Sequence, residues 1–240
     1  NTTFGFDAFW QTSDLSKLKL NVFNINEFRR GGNKFELPAH QTDITEQLDH
    51  KILGGALSFE QSSSDLKHKF SVFASAQAAN RDSYYGGGGR ILESGDQLTD
   101  ADIMAINAYG NSNDIAIVSG GNYNYEFNEK YNVLAGIDYN FNQVEDIMPG
   151  YNRSIDQKVG TLGFYGQLEM KPIDKFTFLV GARFDHVKID GLYDFDIEKS
   201  VDRKDLNAFV PRITAMYEIT DYLKARASYS QGYRAPQAFN

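Results

Sequence analysis

Apolar and polar side chains alternate with a period of two along most of this sequence, a pattern that few folds tolerate. In residues 131–142, Tyr131, Val133, Ala135, Ile137, Tyr139 and Phe141 hold one parity, and Asn132, Leu134, Gly136, Asp138, Asn140 and Asn142 hold the other. Successive side chains of a strand point to opposite faces, so such a segment is a β-strand with one apolar surface. Phe176, Phe178, Val180, Ala182 and Phe184 alternate in the same way with Thr177, Leu179, Gly181, Arg183 and Asp185. So do Leu223, Ala225, Ala227 and Tyr229 with Lys224, Arg226, Ser228 and Ser230. Phe4, Phe6, Ala8 and Trp10 share a face, as do Phe70, Val72, Ala74, Ala76 and Ala78.

The pattern predicts about ten strands, at roughly 2–10, 17–29, 47–60, 67–81, 112–127, 131–146, 157–171, 175–189, 206–219 and 222–234. Their connections fall into two classes. Thr12-Ser13-Asp14, Ser63-Ser64-Asp65, Asn128-Glu129-Lys130, Pro172-Ile173-Asp174 and Thr220-Asp221 are tight turns. The alternate connections, at roughly 30–46, 82–111, 147–156 and 190–205, are long. Short turns on one rim and long loops on the other describe an all-β, antiparallel up-and-down transmembrane β-barrel, with the long loops outside the cell. A soluble β-sandwich also alternates, but it has no need of strands this long. Nor does it need aromatics at both ends of an apolar stripe, where Tyr131, Tyr139 and Phe141 stand and where a membrane barrel places its girdles.

No run of about 18 apolar residues occurs, which excludes a spanning helix; a barrel strand needs only about 9–11 alternating residues. The net charge of -8 argues against general nucleic-acid binding, which depends on phosphate neutralisation. The absence of cysteine removes disulfides, thiolate metal sites and cysteine nucleophiles. Asn1-Thr2-Thr3-Phe4 carries no targeting signal and opens in mid-pattern, so an excerpt of a longer protein is expected.

The segment Tyr222–Phe239 contains Gly232-Tyr233-Arg234-Ala235-Pro236 at the end of its strand. Phe209-Val210-Pro211-Arg212-Ile213-Thr214-Ala215-Met216-Tyr217 forms a Pro-Arg strand just before it. Together these resemble consecutive strands of TonB-dependent outer-membrane receptors, over about the last 30 residues. The resemblance implies a 22-stranded barrel of which this chain is about ten strands, 1–240 being a partial barrel domain without its plug or C-terminal strands. It also implies the outer membrane of a Gram-negative bacterium, with lipid, a plug domain, TonB, a small-molecule nutrient and in some cases a surface lipoprotein as partners. Pro236, lacking an N–H, is expected to end the ladder, and Gly232 to let the chain bend.

Alternation assigns Asn122, Asn124, Asp138, Asn140, Glu169, Arg183, Asp185, Arg212 and Arg226 to the lumen face, to line water and bond the plug. Arg183, Arg212 and Arg226 are expected to pair with plug carboxylates. Loop candidates for ligand contact are Tyr84, Tyr85, Arg90, Tyr151, Tyr193 and Arg234. Gly86–Gly89 lacks the Gly-Lys-Ser/Thr and following helix of a phosphate cradle, and is expected to be a flexible loop. Asp96, Asp100 and Asp102, and separately Asp190, Asp194, Asp196, Asp202 and Asp205, offer the oxygen donors that Ca²⁺ prefers, without EF-hand order. No cofactor beyond such a loop-bound ion is expected. His40, His50, His68 and His186 have no metal-ligand spacing, although His40 and His50 could reach a haem iron or an active site. No local signature of a hydrolase occurs.

The expected function is energised import of a scarce, bulky nutrient, a metal chelate such as a ferric siderophore or haem, or cobalamin. The alternatives are a passive diffusion barrel, an outer-membrane enzyme, or a soluble β binding module.

Overall fold

The computed structural model describes residues 1–196 and 198–235. Ten strands form one sheet: β1 (Thr2–Ser13), β2 (Ser16–Gly32), β3 (Thr45–Ser62), β4 (His68–Gly86), β5 (Tyr109–Asn128), β6 (Tyr131–Met148), β7 (Arg153–Ile173), β8 (Phe176–Phe195), β9 (Glu198–Thr220) and β10 (Leu223–Ser230). Their order in space is their order in sequence, and each neighbouring pair is antiparallel. A helix, α1 (Asp100–Asn107), interrupts the β4–β5 connection, and 3-10 turns lie at Ala39–Gln41 and Pro149–Tyr151.

Register carries the apolar parity unbroken across the sheet. Phe59 stands opposite Val72, and the same rung continues through Gly121, Ile137, Phe164, Phe184 and Phe209. Along this rung the side chains are open: Phe164 is 48% and Phe209 64% exposed. The polar parity is the buried one, with Val187, Asp185 and Gln157 nearly sealed, so it lines the concave side of the curved sheet. Burying a large apolar side chain is worth about 1.5–3 kcal/mol, so a face carrying dozens of them requires hydrocarbon. A soluble sandwich would have placed a second layer there.

The apolar band does not follow one rung. Its uppermost member is Ile115 on β5, Phe184 on β8 and Tyr229 on β10, each nearer the short-turn rim than the one before. A band level with the membrane therefore requires strands tilted to its normal, as barrel closure demands. The short-turn rim carries an aromatic girdle that includes Trp10 and Tyr131, with the His68 and Tyr125 rings stacked at 4.5 Å.

All ten predicted strands are present, but their outer ends were misjudged. β7 begins at Arg153, so the expected loop at 147–156 shrinks to a 3-10 turn. The expected loop at 190–205 is a hairpin in which Phe195 pairs with Glu198. Charged residues there read as loop, yet they face one another across strands: Asp194 holds Lys199 at 2.6 Å and Asp190 holds Arg203 at 3.3 Å. The last strand is shorter than predicted. β10 ends at Ser230, the Gln231 N–H reaches the Pro211 carbonyl at 3.2 Å, and the chain then crosses the inner face. Ala235 packs there against Val159, Val187 and Ile189. Pro236 lies outside the described residues.

Candidate functional site

The inner face holds two charged groupings at different heights. At mid-height Arg183 of β8 is gripped by two carboxylates of the wall itself. Its Nη1 and Nη2 donate to Asp138 at 2.6 and 2.7 Å, and its Nε donates to both oxygens of Asp185 at 2.8 and 2.9 Å. The Tyr165 ring lies under the guanidinium at 5.8 Å. Two glycines make the room. A Cβ on Gly163 would collide with Arg183 and Asp185, and one on Gly136 would collide with the Tyr165 ring. Asp185 is 1% exposed and also bonds the Tyr233 side chain, so removing Arg183 would leave a buried carboxylate without its cation.

All nine residues assigned to the lumen face by alternation share the inner parity. Arg183, expected to pair with a plug carboxylate, bonds Asp138 and Asp185 of the wall itself. Arg212 and Arg226 form no ion pair with the described residues. Arg212 lines a hollow of about 530 Å³ beside Arg183, bounded also by Gln167, Ser228 and Ser230.

The second grouping lies higher, toward the long-loop rim. Glu27, His50, Arg81, Ser112 and Asp146 follow one another along a single rung of β2 to β6. Asp146, almost fully buried, faces Arg81 at 4.0 Å and Arg153 at 3.3 Å. Beside it a hollow of about 290 Å³ is lined by His50, Gln77, Arg81, Ser112 and Asp114 over a floor of Ile52, Ala79 and Val144. The His50 Nε2 atom is buried there without a hydrogen-bond partner. The arrangement can hold a ligand with acidic and hydroxyl groups, cation and carboxylate lying on adjoining strands. Sequence reasoning passed over Arg81, Asp114 and Asp146. Their parity placed them on the inner face, but the signal that groups them is register.

Above the rim the segments between β2 and β3 and between β4 and β5 fold into a cap. Thr99 and Asp102 form a reciprocal capping box at the start of α1. Asp102 accepts from the Thr99 side chain at 2.7 Å and the Thr99 N–H at 2.9 Å, and from Arg90 at 3.3 Å. These bonds, those from Thr99 foremost, hold its carboxyl down at about 2. Arg90 also bonds Asp96 and the Gln97 carbonyl. Asp96 and Asp102 thus meet on the Arg90 guanidinium, and Asp100 is exposed. Asp194 and Asp196 sit at the tip of the β8–β9 hairpin, bonded to Lys199 and to Asn152 respectively. Among the described residues no three His, Cys, Asp or Glu side chains converge to hold a metal.

The four-glycine run is a packing device and not a flexible loop. Gly87 and Gly88 take φ of +149° and +82°, and a Cβ on Gly89 would land on the His40 carbonyl. The Gly88 N–H bonds Thr42 O at 2.8 Å, which draws the two segments together. Tyr84 is 1% exposed under Ala39 and Ala108, with the Tyr109 ring 4.6 Å away, and therefore anchors the cap instead of meeting a ligand. Tyr85 and Tyr151 are exposed and adjacent, the Tyr151 hydroxyl donating to Tyr85 O at 3.4 Å. Tyr193 belongs to β8, where its hydroxyl accepts from Gln157 at 2.6 Å. Arg234 is exposed beyond β10.

A family model for the β-barrel of TonB-dependent receptor-like proteins matches residues 1–240. This chain belongs to the TonB-dependent receptors. Its barrel is accordingly an outer-membrane barrel. The same fold recurs in the alcaligin outer-membrane receptor FauA of Bordetella pertussis, at 15% identity and TM-score 0.68, over 95% of this chain and 34% of that one. The ferric-catecholate import receptor Fiu of E. coli K12 matches at 12% identity and TM-score 0.72, over 95% and 42%. The copper transporter OprC matches at 12% identity and TM-score 0.67, over 98% and 37%. This receptor chain thus spans well under half the length of those structures. No curated protein matches the sequence.

Proposed function

We propose that the chain is part of the wall of an energised importer that takes a metal chelate across the outer membrane. The observation that carries this reading is the charged inner hollow of His50, Arg81 and Asp114, set near the long-loop rim, above the Arg183 group with its two wall carboxylates. A bulky polar solute from outside meets the exposed Tyr85 and Tyr151 first, and then the hollow. Arg212 and Arg226, uncommitted and lower on the wall, suit a plug that carries carboxylates. TonB would act on that plug, and a surface lipoprotein could assist delivery.

Uptake of a panel of labelled ferric chelates by a receptor-deficient strain expressing the full-length protein tests this. TonB-dependent accumulation of one chelate is expected. Arg81→Ala should weaken its binding roughly 10- to 100-fold, the worth of one charge-assisted hydrogen bond. Passage of small solutes that ignores TonB would make the barrel a passive pore.

A further inference from the structure

The β9–β10 ladder stops beside Pro211, and the chemistry of proline explains why. Ser230 pairs with Arg212, and one residue further the Gln231 N–H bonds the Pro211 carbonyl at 3.2 Å. Pro211 has no N–H to return on that side, so the second bond of the pair is missing. Gly232 follows, and a Cβ there would meet nothing within 4 Å, so the chain leaves the wall in open space. β9 extends above Pro211 as far as Glu198, yet β10 does not follow it.

Residues 231–235 instead climb obliquely across the inner face toward β7 and β8. Gln231 lines the mid-height hollow that also holds Arg183 and Arg212. The Tyr233 side chain bonds Asp185, one inner position above Arg183 on β8. Ala235 reaches higher still, onto the nearly sealed Val159, Val187 and Ile189. The rung of His50, Arg81 and Asp146 meets β8 at Tyr193, two inner positions above Ile189. The segment therefore stands at a height between the two hollows of the wall.

Its hold is slight. Among the described residues, the Gln231 backbone bond, the Tyr233–Asp185 bond and the Ala235 contact fasten five residues to the strands they cross. Tyr233 is 42% exposed and Arg234 is open to solvent. Fixing five backbones costs about what three such contacts return, so the seated and released states lie close in free energy. A fixed brace would have stayed in the ladder that β9 offers above Pro211.

We infer that residues 231–235 form a releasable strap that gates the lumen: seated, it separates the upper hollow from the mid-height one, and released, it opens the way between them. Tyr233 is the latch. The gate rests on the import reading, whereas the latch stands apart from it.

The latch is tested on the full-length protein with Val187→Cys as its sole cysteine, purified in mild detergent, by the rate at which a small methanethiosulfonate labels that thiol. Tyr233→Phe is expected to raise the rate at least tenfold and to leave the rate at Ser75→Cys, on the inner face of β4, unchanged. Each variant is checked for the heat-resistant compact band of a folded barrel. An unchanged rate at Val187→Cys in folded Tyr233→Phe would overturn the latch, and so would an equal rise at Ser75→Cys. The gate is tested in cells with Val187→Cys/Ala235→Cys, bridged by a short bis-methanethiosulfonate that reductant removes. The bridged protein should bind a labelled ferric chelate of the uptake panel as before, accumulate it at least tenfold more slowly, and recover on reduction. Full accumulation through the bridged form would reduce the strap to a static brace. A parent protein that neither binds nor accumulates any chelate defeats the import reading and the gate with it, and the labelling rates still judge the latch.

Discussion

The cap over β3–β5 and the hairpin tip of β8–β9 stand on the same rim, are similarly rich in aspartate and look alike in sequence, yet they are held in opposite ways. In the cap, Asp102 is buried, closes the start of α1 and bonds Arg90, and the glycine run lets two backbones touch. At the hairpin tip every aspartate is at least partly open to solvent, and continuity of the ladder supplies the order. Acidic composition therefore says little about the work a loop does. Burial and backbone geometry decide it.

Substitutions should separate the two regions. Gly89→Val would force a side chain into the His40 backbone, an overpacking error costing about 3 kcal/mol or more locally. Limited proteolysis should then cut within residues 90–98 while the β8–β9 hairpin stays resistant. Thr99→Ala removes the side-chain half of the capping box and should cost about 1 kcal/mol, seen as faster amide exchange in α1 alone. Acid acts on the same point. Because the Asp102 carboxyl is held down at about 2, its contribution is complete above about pH 4 and is lost as pH falls through about 2. Exchange in α1 should rise in that window and stay flat above it. Lys199→Ala, by contrast, breaks an exposed pair worth about 0–1 kcal/mol, and 1 M salt should erase its effect. A cap that loosened with salt as readily as the hairpin would dissolve the distinction.

What the sequence disclosed follows the same division. Strand number, strand face and the nine inner residues were legible, because a period of two depends only on the chain's own pleat. Strand ends were not. Above the membrane both faces of a strand meet water, so alternation fades, and the Asp190–Asp205 stretch looks like loop while it is ladder. The Arg183 grouping was half legible. Parity placed Arg183, Asp138 and Asp185 on one face, but only the register of β6, β7 and β8 brings Asp138 within reach across 45 residues. Tyr84 and Gly87–Gly89 were misread because their roles depend on a second segment, residues 39–44, that no local pattern ties to them.

The matching of spatial to sequential order among the ten strands bears on how the sheet is made. Among the described residues each inner strand pairs only with its neighbours in sequence, so each hairpin can zip onto the one before it in the chain, and the entropy of closing long loops is avoided. The exposed backbone of the latest strand is then a template for the next, which makes directional growth, one tilted hairpin at a time, the natural assembly route for this wall.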